Sequence, residues 1–108
     1  MVNKVNFYFF YFFLIVAVNS YGNTGKKIHT IHSADSRACT FFQLEGVTEA
    51  HSVVPNSPWF AIPYSHVGHD QIFSMLLAAY LTGKNINVGT TGQSVCGHAE
   101  VILISFEY

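Results

Sequence analysis

An apolar segment at residues 71–84, QIFSMLLAAYLTGK, most constrains what this chain can fold into. A helix that packs on a single core normally keeps a polar outer face, whereas here only Ser74 interrupts the apolar run. Such a helix needs cover on more than one side. We expect the face formed by Phe73, Leu77 and Tyr80 to be buried between subunits, and flanking loops folding over this face are the alternative.

Residues on either side of this segment indicate where the helix begins and ends. Asp70 is a candidate N-cap, because its carboxylate can accept hydrogen bonds from the first free N–H groups. Gly83 can adopt the left-handed conformation that ends many helices, and Lys84 places a cation at the negative end of the helix dipole. The sequence therefore predicts one helix with defined ends.

The N-terminus carries a second apolar run, residues 7–18, which ends in small and polar side chains. A membrane span needs about 20 apolar residues, so this run is typical of a secretory signal peptide. We predict a signal peptide at residues 1–20, with cleavage after Gly22 and an uncleaved membrane anchor as alternatives. The remaining chain, 21–108, is then exported to the periplasm or the extracellular space, and its source is predicted to be bacterial.

The exported part is short enough to form one small domain. It holds four lysine and arginine side chains against six aspartate and glutamate side chains, with no basic cluster. A phosphate backbone would have no patch to bind, so nucleic acid is excluded as a predicted partner.

Two cysteines, Cys39 and Cys96, lie in the exported part. An even number of cysteines in an oxidising compartment predicts one disulfide bond between them. A catalytic thiol is the alternative, with His98 as the one flanking group that could lower its pKa.

Short runs of β-branched and aromatic residues predict five strands, two of them forming an early hairpin at 26–33 and 39–47. A third strand follows a loop and starts at Trp59, a fourth spans 85–91, and a last apolar strand spans 99–107 after a loop at 92–97. The helix falls between the third and fourth strands. This order predicts a mainly β fold, a small five-stranded Greek-key barrel of the oligonucleotide/oligosaccharide-binding (OB) type.

Catalytic and metal-binding patterns are weak in this sequence. Glu45 and Glu49 lie too close along the chain to face each other across a sugar, and no phosphate-binding loop or nucleophile elbow is present. We predict that the protein is not an enzyme and binds no metal or cofactor. The six histidines are predicted to be scattered surface or capping residues: His29, His32, His51, His66, His69 and His98.

Side chains suited to binding carbohydrate are present. Aromatic rings such as Trp59 and Tyr64 can stack on sugar faces, while threonine hydroxyls can bind their edges. Many exported β-domains carry similar residues, so this composition alone does not select the function.

Four segments together resemble the B subunits of subtilase cytotoxin and of the related typhoid and pertussis-like toxins. These segments are CTFFQLEGV, SPWFAIP, LLAAYLTGKNINV and CGHAEV, and the likeness covers essentially all of the exported chain. In that family a five-stranded barrel assembles into a ring of five. The ring binds cell-surface glycans that often end in sialic acid, and a separate catalytic subunit docks on the helices.

The resemblance also implies roles for individual residues. It places Thr24 where family members set a serine hydroxyl on the sialic acid carboxylate, and Thr48 near the position that helps to line the pocket. With Trp59 and Tyr64, these residues form the predicted glycan-binding set. Two functions remain open: a glycan-binding subunit of a homopentameric ring, and a stand-alone exported barrel that binds a protein or small molecule without a toxin partner.

Overall fold

A computed structural model of the chain describes residues 23–106, and this part is mainly β with a single α-helix. The predicted signal peptide lies outside the described residues. The helix follows the strand that begins just after Trp59, as the sequence predicted. The elements are strands β1 (Asn23–Lys26), β2 (Ile28–Ala34), β3 (Cys39–Leu44), β4 (Phe60–Pro63), β5 (Ile86–Val95) and β6 (His98–Phe106), with helix α1 (His69–Thr82) and a 3-10 turn (Asp35–Arg37).

All six strands belong to one mixed sheet with the order β1-β5-β6-β4-β3-β2. Neighbouring strands are antiparallel except for β4 and β6, which run parallel. Most of the paired residues between consecutive strands lie in two hairpins, β2–β3 and β5–β6. The predicted early hairpin is therefore confirmed.

The structure has six strands where the sequence pattern predicted five, because an additional strand, β1, precedes the strand predicted at 26–33 and overlaps it only at Lys26. β1 pairs with β5, whereas β2, which corresponds to the predicted strand, pairs with β3. Gly25 has a φ of 64° and the β1 register shifts between Asn23 and Lys26. A backbone conformation that favours glycine thus lies where the chain changes its pairing partner.

The main core lies between one face of the sheet and the inner side of α1. Phe42 and Phe60 stack with their ring centroids 5.0 Å apart, and Leu76 and Ala79 contribute the buried side of the helix. Phe42 points into this core and its neighbour Phe41 points to the other face, since side chains alternate along a strand. A smaller apolar cluster around Phe41 occupies that other face.

The helix begins at His69, two residues earlier than predicted. Gly68 occupies the N-cap position and makes no side-chain capping bond, so the prediction of Asp70 as N-cap was wrong. Asp70 lies in the first turn, where its negative charge interacts favourably with the positive end of the helix dipole. At the other end Gly83 has a φ of 67° and its N–H donates to the carbonyl of Ala79, which confirms the predicted stop.

The predicted loop at 92–97 is mostly strand. β5 continues to Val95, and only Cys96 and Gly97 form the turn to β6. Both turn residues have positive φ, 52° and 79°, the combination found in two-residue hairpins whose twist matches the strands. A longer loop had been expected because this stretch is rich in glycine and polar residues.

The side chains of β6 do not alternate strictly between the two faces of the sheet. Gly89 pairs with Leu103 and Thr90 pairs with Val101, so Ile102 is an extra residue without a partner on β5. This bulge leaves Ile102 and Leu103 both exposed, at 60% and 50%. A continuous apolar run gives no indication of such a bulge, because either register buries an apolar side chain.

The predicted disulfide between Cys39 and Cys96 is present. It joins the start of β3 to the β5–β6 turn across 57 residues of sequence. Helix α1 is too short to cross a membrane, and residues 23–106 contain no other α-helix.

Candidate functional site

The outer face of the sheet carries a cleft of about 210 Å³ beside the disulfide. We call it the aromatic cleft, because four of its five lining residues have a ring. Those five residues come from β2, the 3-10 turn, β3, the segment before β4, and β6: His32, Arg37, Phe41, Trp59 and His98.

Phe41 forms the floor of the aromatic cleft and is only 3% exposed. The ring of Trp59 meets it edge-on at 6.3 Å between centroids, and His98 does the same at 5.5 Å. His32 lies 6.2 Å away and Arg37 places its guanidinium carbon 4.9 Å from the Phe41 centroid, within cation–π range. The result is a ring-lined hollow with one cation at its rim.

Strand register explains how distant residues converge here. His32 is the direct cross-strand partner of Phe41, and cross-strand partners share a face of the sheet. Trp59 immediately precedes β4, whose pairing with β3 sets it beside the same ring. His98 is the first residue of β6 and follows the Cys96–Gly97 turn.

The disulfide and the hairpin turn hold Arg37 in place. Arg37 Nη2 donates to the carbonyl oxygen of Cys96 at 2.6 Å. Cys96 has a left-handed backbone conformation, which is uncommon for any residue other than glycine. It is also one half of the disulfide. The side chain is therefore anchored at its tip although it is exposed.

The lining of the aromatic cleft is positive or neutral and contains no carboxylate. Burial, and secondly the nearby charge of Arg37, lower the pKa of His98 below its ordinary value of 6.5. His98 is therefore neutral at pH 7, and its Nδ1 shares a hydrogen bond of 3.0 Å with the hydroxyl of Ser57. Arg37 is the permanent charge of the site.

The four predicted glycan-binding residues do not form one site in the described residues. Trp59 lines the aromatic cleft, whereas Thr24 is exposed on β1. Thr48 lines a separate hollow of about 330 Å³ at the end of β3. Tyr64 is 38% exposed, shares a hydrogen bond of 2.8 Å with Ser33, and belongs to neither hollow.

Sequence reasoning did not identify four of the cleft residues, yet a usable signal was present. A predicted Cys39–Cys96 disulfide already requires the residues that flank the two cysteines to be close in space. Arg37 precedes Cys39 by two positions and His98 follows Cys96 by two. Phe41 and His32 needed the exact hairpin register, which the sequence alone did not provide.

A chain of hydrogen bonds beside Tyr64 resembles a hydrolase triad in its residue types. Asp70 Oδ1 accepts from Nδ1 of His69 at 2.9 Å, and Nε2 of His69 shares a hydrogen bond of 2.8 Å with the hydroxyl of Thr40. The same hydroxyl lies 3.3 Å from Ser33. Thr40 is 0% exposed, so its hydroxyl cannot reach a substrate, and the chain fastens the start of α1 to the sheet.

Other polar side chains are also engaged within the fold. His66 Nε2 donates to Glu100 Oε2 at 3.0 Å, and the hydroxyl of Thr91 donates to the second oxygen of that carboxylate at 2.8 Å. Within residues 23–106 no three histidine, cysteine, aspartate or glutamate side chains converge as a metal site would require.

The outward side of α1 exposes large apolar side chains. Leu77 is 39% exposed, Tyr80 47% and Leu81 78%, and we call these three residues the helix surface. Phe73, which we predicted to share this face, is half-buried and stacks on His69 with centroids 6.1 Å apart. The sheet and the first turn therefore cover part of the helix, and the helix surface remains uncovered by the described residues.

Comparison of the chain with protein-family models, with curated proteins and with solved structures found no match in any of the three. The resemblance to toxin B subunits thus remains a prediction from the sequence.

Proposed function

We propose that the protein is an exported, non-catalytic subunit that binds sialylated cell-surface glycans as a homopentameric ring of the toxin B-subunit type. The aromatic cleft is the observation that carries this proposal. It is concave, lined with rings, and faces away from the main core. Its volume is below the roughly 300–1,000 Å³ of drug-sized pockets, which suits a single sugar ring.

The strand pairing supports an OB-type barrel as the scaffold. β1 and β2 lie at opposite ends of the strand order, yet only Lys27 separates them along the chain. A strand whose two halves pair with different neighbours joins the two edges of a sheet, which is how a small barrel closes. Counting β1 and β2 as one bent strand returns the five-stranded order expected from the sequence.

The helix surface supports assembly. Exposed apolar side chains on one face of a helix favour burial against another protein surface. In the proposed ring, Leu77 and Tyr80 make contacts between subunits, and the helices offer a docking place for a separate catalytic subunit.

The test compares glycan-array binding of the exported protein with that of two variants. Trp59→Ala removes a wall of the aromatic cleft. The lost ring contact should weaken the free energy of glycan binding by roughly 0.5–1.5 kcal/mol per site, in addition to the effect of burying less apolar area. A multivalent ring multiplies this loss. Tyr64→Phe is the matched control, because it deletes only the hydroxyl bonded to Ser33.

We expect the wild type and Tyr64→Phe to bind the same sialylated glycans, and Trp59→Ala to lose them. A wild-type protein that binds no glycan, but retains a protein or a small molecule, would favour the stand-alone barrel instead. Equal binding by all three proteins would place the glycan site outside the aromatic cleft.

A further inference from the structure

We infer that Arg37 is the specificity-determining residue of the aromatic cleft: its guanidinium binds the carboxylate of an acidic sugar whose ring lies against Trp59. This inference rests on the proposed function and assigns the recognition of charge to a residue that the toxin resemblance does not indicate.

The guanidinium is held in position before any ligand arrives. Its Nη2 bond to the carbonyl of Cys96 and its place over the ring of Phe41 fix two sides of the group. Arginine has five N–H donors in a planar fork, and the bond to Cys96 uses one of them. Among residues 23–106 no carboxylate lies within ion-pair distance of Arg37. Donors therefore remain for a ligand anion.

Arg37 is the one arginine or lysine among the five residues that line the aromatic cleft. Lys26 lies on β1, Lys27 at the junction that follows, and Lys84 lines a groove between α1 and the β5–β6 hairpin. His98 is neutral at pH 7 because its pKa is lowered. A carboxylate that enters the aromatic cleft therefore has Arg37 as its permanently charged partner.

Thr24 is the competing assignment, since the resemblance places the sugar carboxylate on its hydroxyl. Thr24 lies on β1, which pairs with β5, whereas the cleft residues come from β2, β3, the segment before β4, and the first residue of β6. A neutral hydroxyl also gives a weaker bond to a carboxylate than a forked guanidinium does. The two assignments predict different mutational outcomes.

The experiment measures binding of two probes by ligand-observed NMR: the methyl glycoside of N-acetylneuraminic acid and the methyl ester of the same compound. The probes differ only at the carboxyl group, which is a charged carboxylate in the first and an uncharged methyl ester in the second. The wild type should bind the acid at least about tenfold more tightly than the ester, as a charge-assisted hydrogen bond requires. The variants are Arg37→Gln, Arg37→Lys, Thr24→Ala and Trp59→Ala, each checked for an intact disulfide and an unchanged melting temperature.

Arg37→Gln should bind the acid and the ester equally, at the affinity of the wild type for the ester. Arg37→Lys should keep part of the preference, because it retains the charge but not the fork. Thr24→Ala should keep the full preference, and Trp59→Ala should weaken both probes without changing their ratio.

Retention of the preference in Arg37→Gln, or its loss in Thr24→Ala alone, overturns the inference and leaves the proposed function standing. Equal binding of both probes by the wild type also overturns only the inference. A wild type that binds neither probe removes the proposed function together with the inference.

Discussion

The aromatic cleft and the helix surface are both exposed, but they differ in what fixes their side chains. In the aromatic cleft, Arg37 is tied to Cys96, Phe41 is buried as a floor, and His98 is bonded to Ser57. On the helix surface, Leu77 and Leu81 project from a convex helix with much of their area accessible.

This difference separates two kinds of recognition. A concave group of anchored rings and one oriented cation loses little conformational entropy when a small polar ligand binds, since the side chains are already ordered. A convex apolar face offers no directional contacts, and its gain comes from removing area from water. One chain thus carries a surface suited to a small ligand and a surface suited to another protein, and three perturbations distinguish them.

The largest expected effect follows from removing the disulfide with Cys39→Ser and Cys96→Ser together. Loss of this crosslink should lower the free energy of unfolding by about 2–4 kcal/mol. It should also release the Cys96 carbonyl that anchors Arg37, so the aromatic cleft should lose ligand affinity. Urea denaturation and the NMR titration measure these two effects. A double variant with unchanged stability and unchanged binding would show that the cleft does not depend on the crosslink.

The helix surface should respond to Leu77→Asp by a change of assembly. A charge placed in an apolar subunit contact is costly to bury, so the variant should sediment as a folded single chain at micromolar concentration. Ser74→Asp adds the same charge to the same helix at an exposed polar position and is the matched control. Sedimentation velocity measures the masses. A wild-type protein that is already a monomer would contradict the assignment of this surface.

The smallest expected effect is a dependence of stability on pH that originates in the aromatic cleft. Because the folded state lowers the pKa of His98, its contribution to stability is fully present above about pH 6.5 and is lost as the pH falls towards the lower folded value. The difference in urea midpoint between pH 7.5 and pH 5.5 should therefore be smaller in His98→Asn than in the wild type. His29→Asn, at an exposed position on β2, should keep the wild-type difference, and a His98→Asn protein that also keeps it would contradict the assignment.

The sequence predicted those features that a single residue type determines. Gly83 ends the helix because glycine readily takes a positive φ, and the two cysteines pair with each other as their even number predicted. The start of the helix was missed by two residues, since Asp70 suits both the N-cap and the first turn. The bulge at Ile102 was missed because its neighbours are also apolar and the pattern does not change there.

The aromatic cleft could be predicted only in part. Trp59 was identified by its type, but its partners are set by strand register and by the crosslink, which are properties of the whole sheet. His32 faces Phe41 in one register, and a shift by one residue would turn it to the opposite face. The predictions for Thr24 and Thr48 depend on the resemblance and remain predictions.

The change of pairing partner at Lys27 also affects the order of folding events. β1 is the first strand of the sheet along the chain, but its partner β5 begins at Ile86. The Asn23–Val88 pair therefore joins residues that are separated by most of the domain's sequence. During vectorial synthesis β2 can pair with β3 early, whereas β1 has to wait until nearly the whole chain has emerged. Pairs of such high sequence separation slow folding. The sheet is therefore completed late, by its first strand.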